Sequence, residues 1–178
     1  LSQFLSIVCL YRGRPAGPIL SRLFETALSV GGRVRAETQL GAGAASVPSA
    51  AVALARKIFG SLEGRSTVIV GAGEMSELAL QCLLDEGVSG VVVANRTAQR
   101  AEALVAKYGG AAATFDRLPE LLRTASIVAC ATAAPHHVIT AEMVARAFRE
   151  GRRDPMLLLD IALPRDVEPA AGSIDGVF

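Results

Sequence analysis

The chain has 178 residues and a formal net charge of +1, from 18 Lys and Arg against 17 Asp and Glu. Apolar residues make up 51%, which excludes a disordered chain, and the charge balance excludes a chain-wide field for nucleic acid. Six Phe, two Tyr and no Trp argue against a base-stacking RNA module. Three dispersed cysteines, Cys9, Cys82 and Cys130, make no CxxC pair and no metal spacing. Neither a disulfide framework nor a metal site is expected, and a reducing compartment suits them. Leu1–Leu10 is apolar but lacks a basic leader and is too short to span a bilayer, so no membrane association is expected. The opening residue is Leu rather than Met, which reads as a fragment of a longer protein.

Residues 17 to 35 predict a helix, because Ile19, Leu20, Leu23, Phe24, Ala27 and Leu28 recur at i, i+3 and i+4. Gly31-Gly32 weakens it. Gly41–Ala45 reads as a turn or hinge. Ser46 is placed to cap a second helix, running through Ala50, Ala51, Leu54, Ala55 and Ile58 to Gly60. Beyond Gly64, short apolar runs alternate with helical stretches. Strands are expected at Ser66–Val70, Val91–Ala94, Ala111–Phe115, Ile127–Ala131 and Met156–Ile161, with Val177-Phe178 starting another. Helices are expected at Glu74–Glu86, Ala98–Lys107, Leu118–Arg123 and Ala141–Arg149. Near-continuous apolar strands alternating with helices imply an α/β fold: a Rossmann-type, doubly wound parallel sheet preceded by a long helical segment. The expected division is a helical part at 1–60 and a nucleotide-binding domain at 61–178.

The run Val68-Ile69-Val70-Gly71-Ala72-Gly73-Glu74-Met75-Ser76 follows a strand and opens a helix, as a dinucleotide fingerprint does. Gly71 permits the tight turn. Gly73 lets the backbone approach a pyrophosphate, and the helix N-terminus supplies free N–H groups to that anion. Ser76 stands where a third glycine is usual. Gly71, Ala72, Gly73, Glu74, Met75 and Ser76 are therefore candidate cofactor-binding residues. The second strand ends Asn95-Arg96-Thr97, with no carboxylate for a ribose diol. Arg96 can pair with a 2′-phosphate, Arg100 lies a helical turn on, and Asn95 and Thr97 add neutral polar groups. That pattern points to NADPH over NADH; a solvated helix face is the plainer alternative. Thr132, Ala133 and Ala134, after the fourth strand, are candidates for the nicotinamide end, with Pro135 restraining the loop. His136 and His137 are the two histidines of the chain and read as structural before catalytic. Asp160, at the fifth strand's end, either lines the cleft or holds loop amides, the second being favoured.

These motifs resemble glutamyl-tRNA reductases, the NADPH enzymes that begin five-carbon tetrapyrrole (porphyrin) synthesis. The likeness is carried by Arg33-Val34-Arg35-Ala36-Glu37-Thr38, Gly41–Val52, Gly71–Ser76, Asn95-Arg96-Thr97, Thr132–His136 and Asp160–Asp166. It implies a chain that supplies the NADPH-binding part, with a spinal helix, of a reductase converting glutamyl-tRNA to glutamate-1-semialdehyde. In such enzymes a cysteine of a preceding catalytic domain attacks the glutamyl ester. None of Cys9, Cys82 or Cys130 matches that position, so no catalytic residue is assigned in this chain. Gln3 echoes a substrate-binding Gln of the family. Gly32 stands in place of a usual Lys. Arg33, Arg35, Ser46 and Ser49 face the catalytic cleft or the RNA, unless surface charge and helix capping account for them. The resemblance further implies a homodimer in the full-length protein, glutamate-1-semialdehyde aminomutase as a partner, and a cytoplasmic or plastid-stromal location. The alternatives are a shikimate/quinate dehydrogenase-like NADP oxidoreductase and a nucleotide-binding module without chemistry of its own. The first needs a Lys/Asp pair that nothing before Gly64 offers.

Overall fold

The computed structural model describes residues 18–37 and 46–178; the side chains of 18–21, 24, 32 and 34–36 are not described. Gln3, Cys9, Thr38 and the Gly41–Ala45 turn lie outside the described residues. The chain divides into two compact units, Leu1–Ala44 and Ala45–Phe178.

Within the first unit, helix α1 spans Pro18–Glu37. It runs through Gly31 and Gly32, so the expected weakening does not interrupt it. Glycine costs about 1 kcal/mol per helix position, a penalty a 20-residue helix can carry. Arg33 and Glu37 pair one turn apart at 3.0 Å near its C-terminal end. Leu23 and Val30 are exposed.

The second unit opens with α2, Val47–Phe59. Ser46 caps it as expected, its hydroxyl receiving the Ser49 N–H at 3.2 Å. The buried stripe differs from the expected one. Pro48, Val52 and Ala55 face the core, whereas Leu54 is 52% exposed and Ile58 37%. Because Val52 and Ala55 pack with the sheet core, α2 belongs to the nucleotide-binding unit. That unit starts at Ala45 rather than at residue 61.

Five strands follow: β1 Ser66–Val70, β2 Ser89–Ala94, β3 Ala111–Ala113, β4 Ile127–Cys130 and β5 Leu157–Asp160. Between them lie α3 Glu74–Asp85, α4 Ala98–Tyr108, the short α5 Leu118–Leu121 and α6 Ala141–Arg149. All pairings are parallel, in the order β3-β2-β1-β4-β5. Three expected strands end early, at Ala113, Cys130 and Asp160; Phe115 turns into a short 3-10 helix, and the chain leaves the regular strands after Cys130 and Asp160. The expected start of another strand is present as pairing: Phe178 donates to the Met156 carbonyl at 2.9 Å and receives the Leu158 N–H at 2.8 Å.

Strand periodicity feeds two cores. Ile69, Ile127, Ala129, Leu157 and Leu159 point to one face, covered by α2, α3 and α4. Val68, Val70, Val128, Cys130 and Met156 point to the other, covered by α5 and α6. A strand buried on both faces must be apolar at successive positions, as Val68–Val70 is. The order reverses between β1 and β4, so the first two crossovers lie on one face and the later ones on the other. Their carboxyl ends diverge there and leave a crevice.

Candidate functional site

The crevice begins at the β1–α3 turn. Gly71 has φ +108°, outside the range of ordinary L-residues. A Cβ there would stand 2.9 Å from the Ser76 Oγ and 3.0 Å from the Ala131 carbonyl oxygen. Ser76 is wholly buried and donates to that same carbonyl at 3.3 Å. It thereby ties the start of α3 to the end of β4, so a serine fills the space of the usual third glycine with a bond. Gly73 caps α3 with extended backbone and no side-chain bond. A Cβ on Gly73 would meet no protein atom within 4 Å. Glycine is therefore not demanded there by the protein's own packing, but it keeps that side of the turn open. Glu74 and Met75, the first residues of α3, line the cleft, and no side chain caps this helix end, a favourable arrangement for an anion.

At the neighbouring tip, β2 delivers Asn95 and Arg96, and α4 adds Arg100 from its first turn; all three line the cleft. The Asn95 side-chain amide donates to the Thr97 carbonyl at 2.9 Å, so its donor braces the turn. The Thr97 hydroxyl makes no cap bond. Two guanidinium groups stand at this tip, and the carboxylate residue among those lining the cleft is Glu74, at the start of α3.

The opposite wall comes from the loops after β4 and β5. Asp160 accepts the amides of Ala162 at 3.1 Å and Val167 at 3.0 Å, which bears out the favoured reading of it as a loop tether. Asp166 is wholly buried and reaches across, receiving the Thr132 N–H at 2.7 Å and the Thr132 hydroxyl. The Ala134 N–H in turn donates to the Thr132 Oγ1 at 3.0 Å. Burial raises the Asp166 carboxyl above its ordinary value; the two Thr132 bonds pull the other way, Asp160 adds to the rise, and His136 opposes it. Burial, helped by Asp166 and Asp160, likewise pushes the Cys130 thiol well up, so Cys130 is no nucleophile.

The resulting cleft holds about 540 Å³, within the range of about 300–1,000 Å³ usual for small-molecule sites. It unites Gly71, Ala72, Gly73, Glu74 and Met75 with Asn95 and Arg96 and with Thr132, Ala133 and Ala134. Two expected cofactor residues stand apart: Ser76 lies beneath the wall as packing, and Thr97 does not line the cleft. His136 lines it and His137 does not. Residues not expected at the site are Phe115, Ala131, Val138 and the Ile161–Leu163 segment. Phe115 opens a short 3-10 helix and the others lie in loops without periodicity; Ile161–Leu163 fall within the Asp160–Asp166 run that carries the family resemblance, which assigned them no role. Asp166 closes that same run, which likewise assigned it no role. Among the described residues no cluster of His, Cys, Asp or Glu could hold a metal, and no helix is long and apolar enough to cross a membrane.

A parallel sheet with its switch point at a glycine turn, and a cleft across the strand tips, defines a Rossmann-type nucleotide-binding domain. A family model described as Shikimate / quinate 5-dehydrogenase matches residues 53–178, and the chain belongs to that family. Over nearly its full length it is similar to glutamyl-tRNA reductases. That of Rubrobacter xylanophilus is 52% identical over 165 residues, covering 93% of this chain and 38% of the relative. That of Archaeoglobus fulgidus is 45% identical over 165 residues, with the same coverage of 93% and 38%. The chain thus spans about two fifths of the length of these relatives. The solved glutamyl-tRNA reductase of Methanopyrus kandleri superposes with a TM-score of 0.71 at 44% identity, over 90% of this chain and 41% of that one. The nucleotide-binding domain of the Thermoplasma volcanium glutamyl-tRNA reductase, at 19% identity, shares the fold with a TM-score of 0.54, over 76% of this chain and 86% of that one.

Proposed function

We propose that this chain is the NADPH-binding part of an enzyme that reduces glutamyl-tRNA to glutamate-1-semialdehyde. The observation that supports the cofactor most directly is the pairing of an open glycine turn with Arg96 and Arg100 at the β2 tip, two cations placed to meet a 2′-phosphate, while the carboxylate residue of the cleft lining, Glu74, belongs to the start of α3. The substrate reading rests on 44–52% identity with glutamyl-tRNA reductases across nine tenths of the chain. In this reading the pyrophosphate lies on the amides of Glu74 and Met75. Arg96 and Arg100 take the 2′-phosphate, and Thr132–Ala134 receive the nicotinamide end. The nucleotide supplies the reducing equivalent when bound; this domain binds and orients it. We place the acyl-accepting cysteine in another part of the whole protein, since none of Cys9, Cys82 and Cys130 matches the position of the family's nucleophile and burial pushes the Cys130 thiol well up. A charged tRNA as substrate, a homodimer, an aminomutase partner and a cytoplasmic or stromal setting are parts of the same proposal.

The test compares dissociation constants. A charge-assisted hydrogen bond contributes about 1.5–3 kcal/mol, or on the order of 10–100-fold in affinity. Arg96→Ala is expected to weaken NADPH by that factor and leave NADH within about twofold. Equal binding of the two nucleotides by the unaltered chain sinks the cofactor assignment. The chain alone should not reduce glutamyl-tRNA, and turnover by it would refute the division of labour.

A further inference from the structure

The cleft wall facing away from β2 consists of two loops, one carrying Thr132–His136 and one carrying Ile161–Leu163. Ladder bonds hold only their roots, where Ala131 donates to the Val70 carbonyl and Ile161 to the Cys130 carbonyl, both at 2.9 Å. Asp160 satisfies amides of its own loop only. Asp166 sits on the second loop but grips the first, holding both the N–H and the hydroxyl of Thr132. Its carbonyl receives the N–H of Val138 at 2.7 Å and of Ile139 at 3.0 Å, so backbone and side chain bind the same neighbouring loop. The Thr132 hydroxyl gives its proton to Asp166 and a lone pair to the Ala134 N–H, which leaves one side-chain orientation that satisfies both. A buried carboxylate outside the cleft thus dictates the shape of three residues inside it.

We propose that Asp166 is a positioning residue for the nicotinamide half of the site, holding Thr132–Ala134 in the form that receives the ring without itself touching the nucleotide. This rests on the NADPH reading above. The two halves of a dinucleotide fall on either side of the β1 turn, and with the adenosine half at Arg96 the other half meets the β4 loop.

The experiment titrates the 178-residue chain with two probes: NADPH, and adenosine 2′,5′-bisphosphate, which carries the adenine half alone. Asp166→Ala is expected to weaken NADPH tenfold or more while the bisphosphate stays within twofold. Asp166→Asn keeps an acceptor for the Thr132 N–H and should return NADPH to within about threefold of the unaltered chain. If Asp166→Ala does not fold, Thr132→Val decides, with NADPH weakened at least fivefold and the bisphosphate unchanged. Equal loss of both probes, or loss of neither, overturns the role and leaves the cofactor reading standing. Failure of the unaltered chain to bind either probe overturns both.

Discussion

Replacing Gly71 with alanine tests the turn on which the cleft is built. The backbone there has φ +108°, which an L-residue holds at a cost of about 1–3 kcal/mol. The added methyl meets the Ser76 Oγ at 2.9 Å and the Ala131 carbonyl oxygen at 3.0 Å. Ser76 is buried and bonded, and Ala131 is backbone at a strand end, so neither yields cheaply. Overpacking of this kind costs about 1–3 kcal/mol more. The sum is about 2–6 kcal/mol, or a fall in Tm of roughly 6–24 °C for a unit of this size. Thermal unfolding followed by circular dichroism reads it. The double variant Gly71→Ala with Ser76→Ala relieves part of the overpacking, because it removes the Oγ contact and leaves the Ala131 contact and the backbone strain. About 1 kcal/mol should return. NADPH affinity should fall in the single variant at a temperature where it is fully folded, because the turn carries the anion-binding amides. A Tm within 2 °C of the parent, with unchanged affinity, would refute the steric argument and the placement of the phosphate together.

Two further outcomes are expected. Leu80→Ala, at a fully buried position of α3, should cost about 2–5 kcal/mol in urea unfolding, whereas Leu54→Ala on the exposed side of α2 should cost no more than about 0.5 kcal/mol; similar costs would return Leu54 to the core. Asp166 contributes a pH dependence of defined sign. Its folded carboxyl lies above the ordinary value, so the folded state binds a proton more readily than the unfolded state between the two values. Its contribution to stability is therefore fully present below the unfolded value and is lost as pH rises through the folded one. The stability of the parent relative to Asp166→Asn should accordingly increase as pH falls from 7 toward 4, and a difference that shrinks on acidification would show that the Thr132 bonds outweigh burial.

The elements and the glycine turn were legible in the chain because they depend on local patterns. Short β-branched apolar runs such as Val68–Val70 favour strands buried on both faces, and the Gly71-Ala72-Gly73 turn and the Asn95-Arg96-Thr97 tip follow such strands directly. Most cofactor residues expected from those two motifs line the cleft. Ser76 and Thr97 do not, because motif membership says which residues are near a turn and not which way each side chain faces. On α2 an amphipathic helix with apolar residues on more than one side admits two stripes. Only the position of the sheet decided that Val52 and Ala55 go in while Leu54 and Ile58 stay out.

The sequence by itself determined the parallel α/β architecture, the glycine turn and the basic tip of β2, since each is written in residues close together in the chain. Tertiary structure decided the far wall of the cleft. Asp166 is 34 residues from Thr132, in a loop with no periodicity, and their bond exists because β4 and β5 lie side by side. Contacts between loops of adjacent strands depend on strand order, which no local pattern encodes.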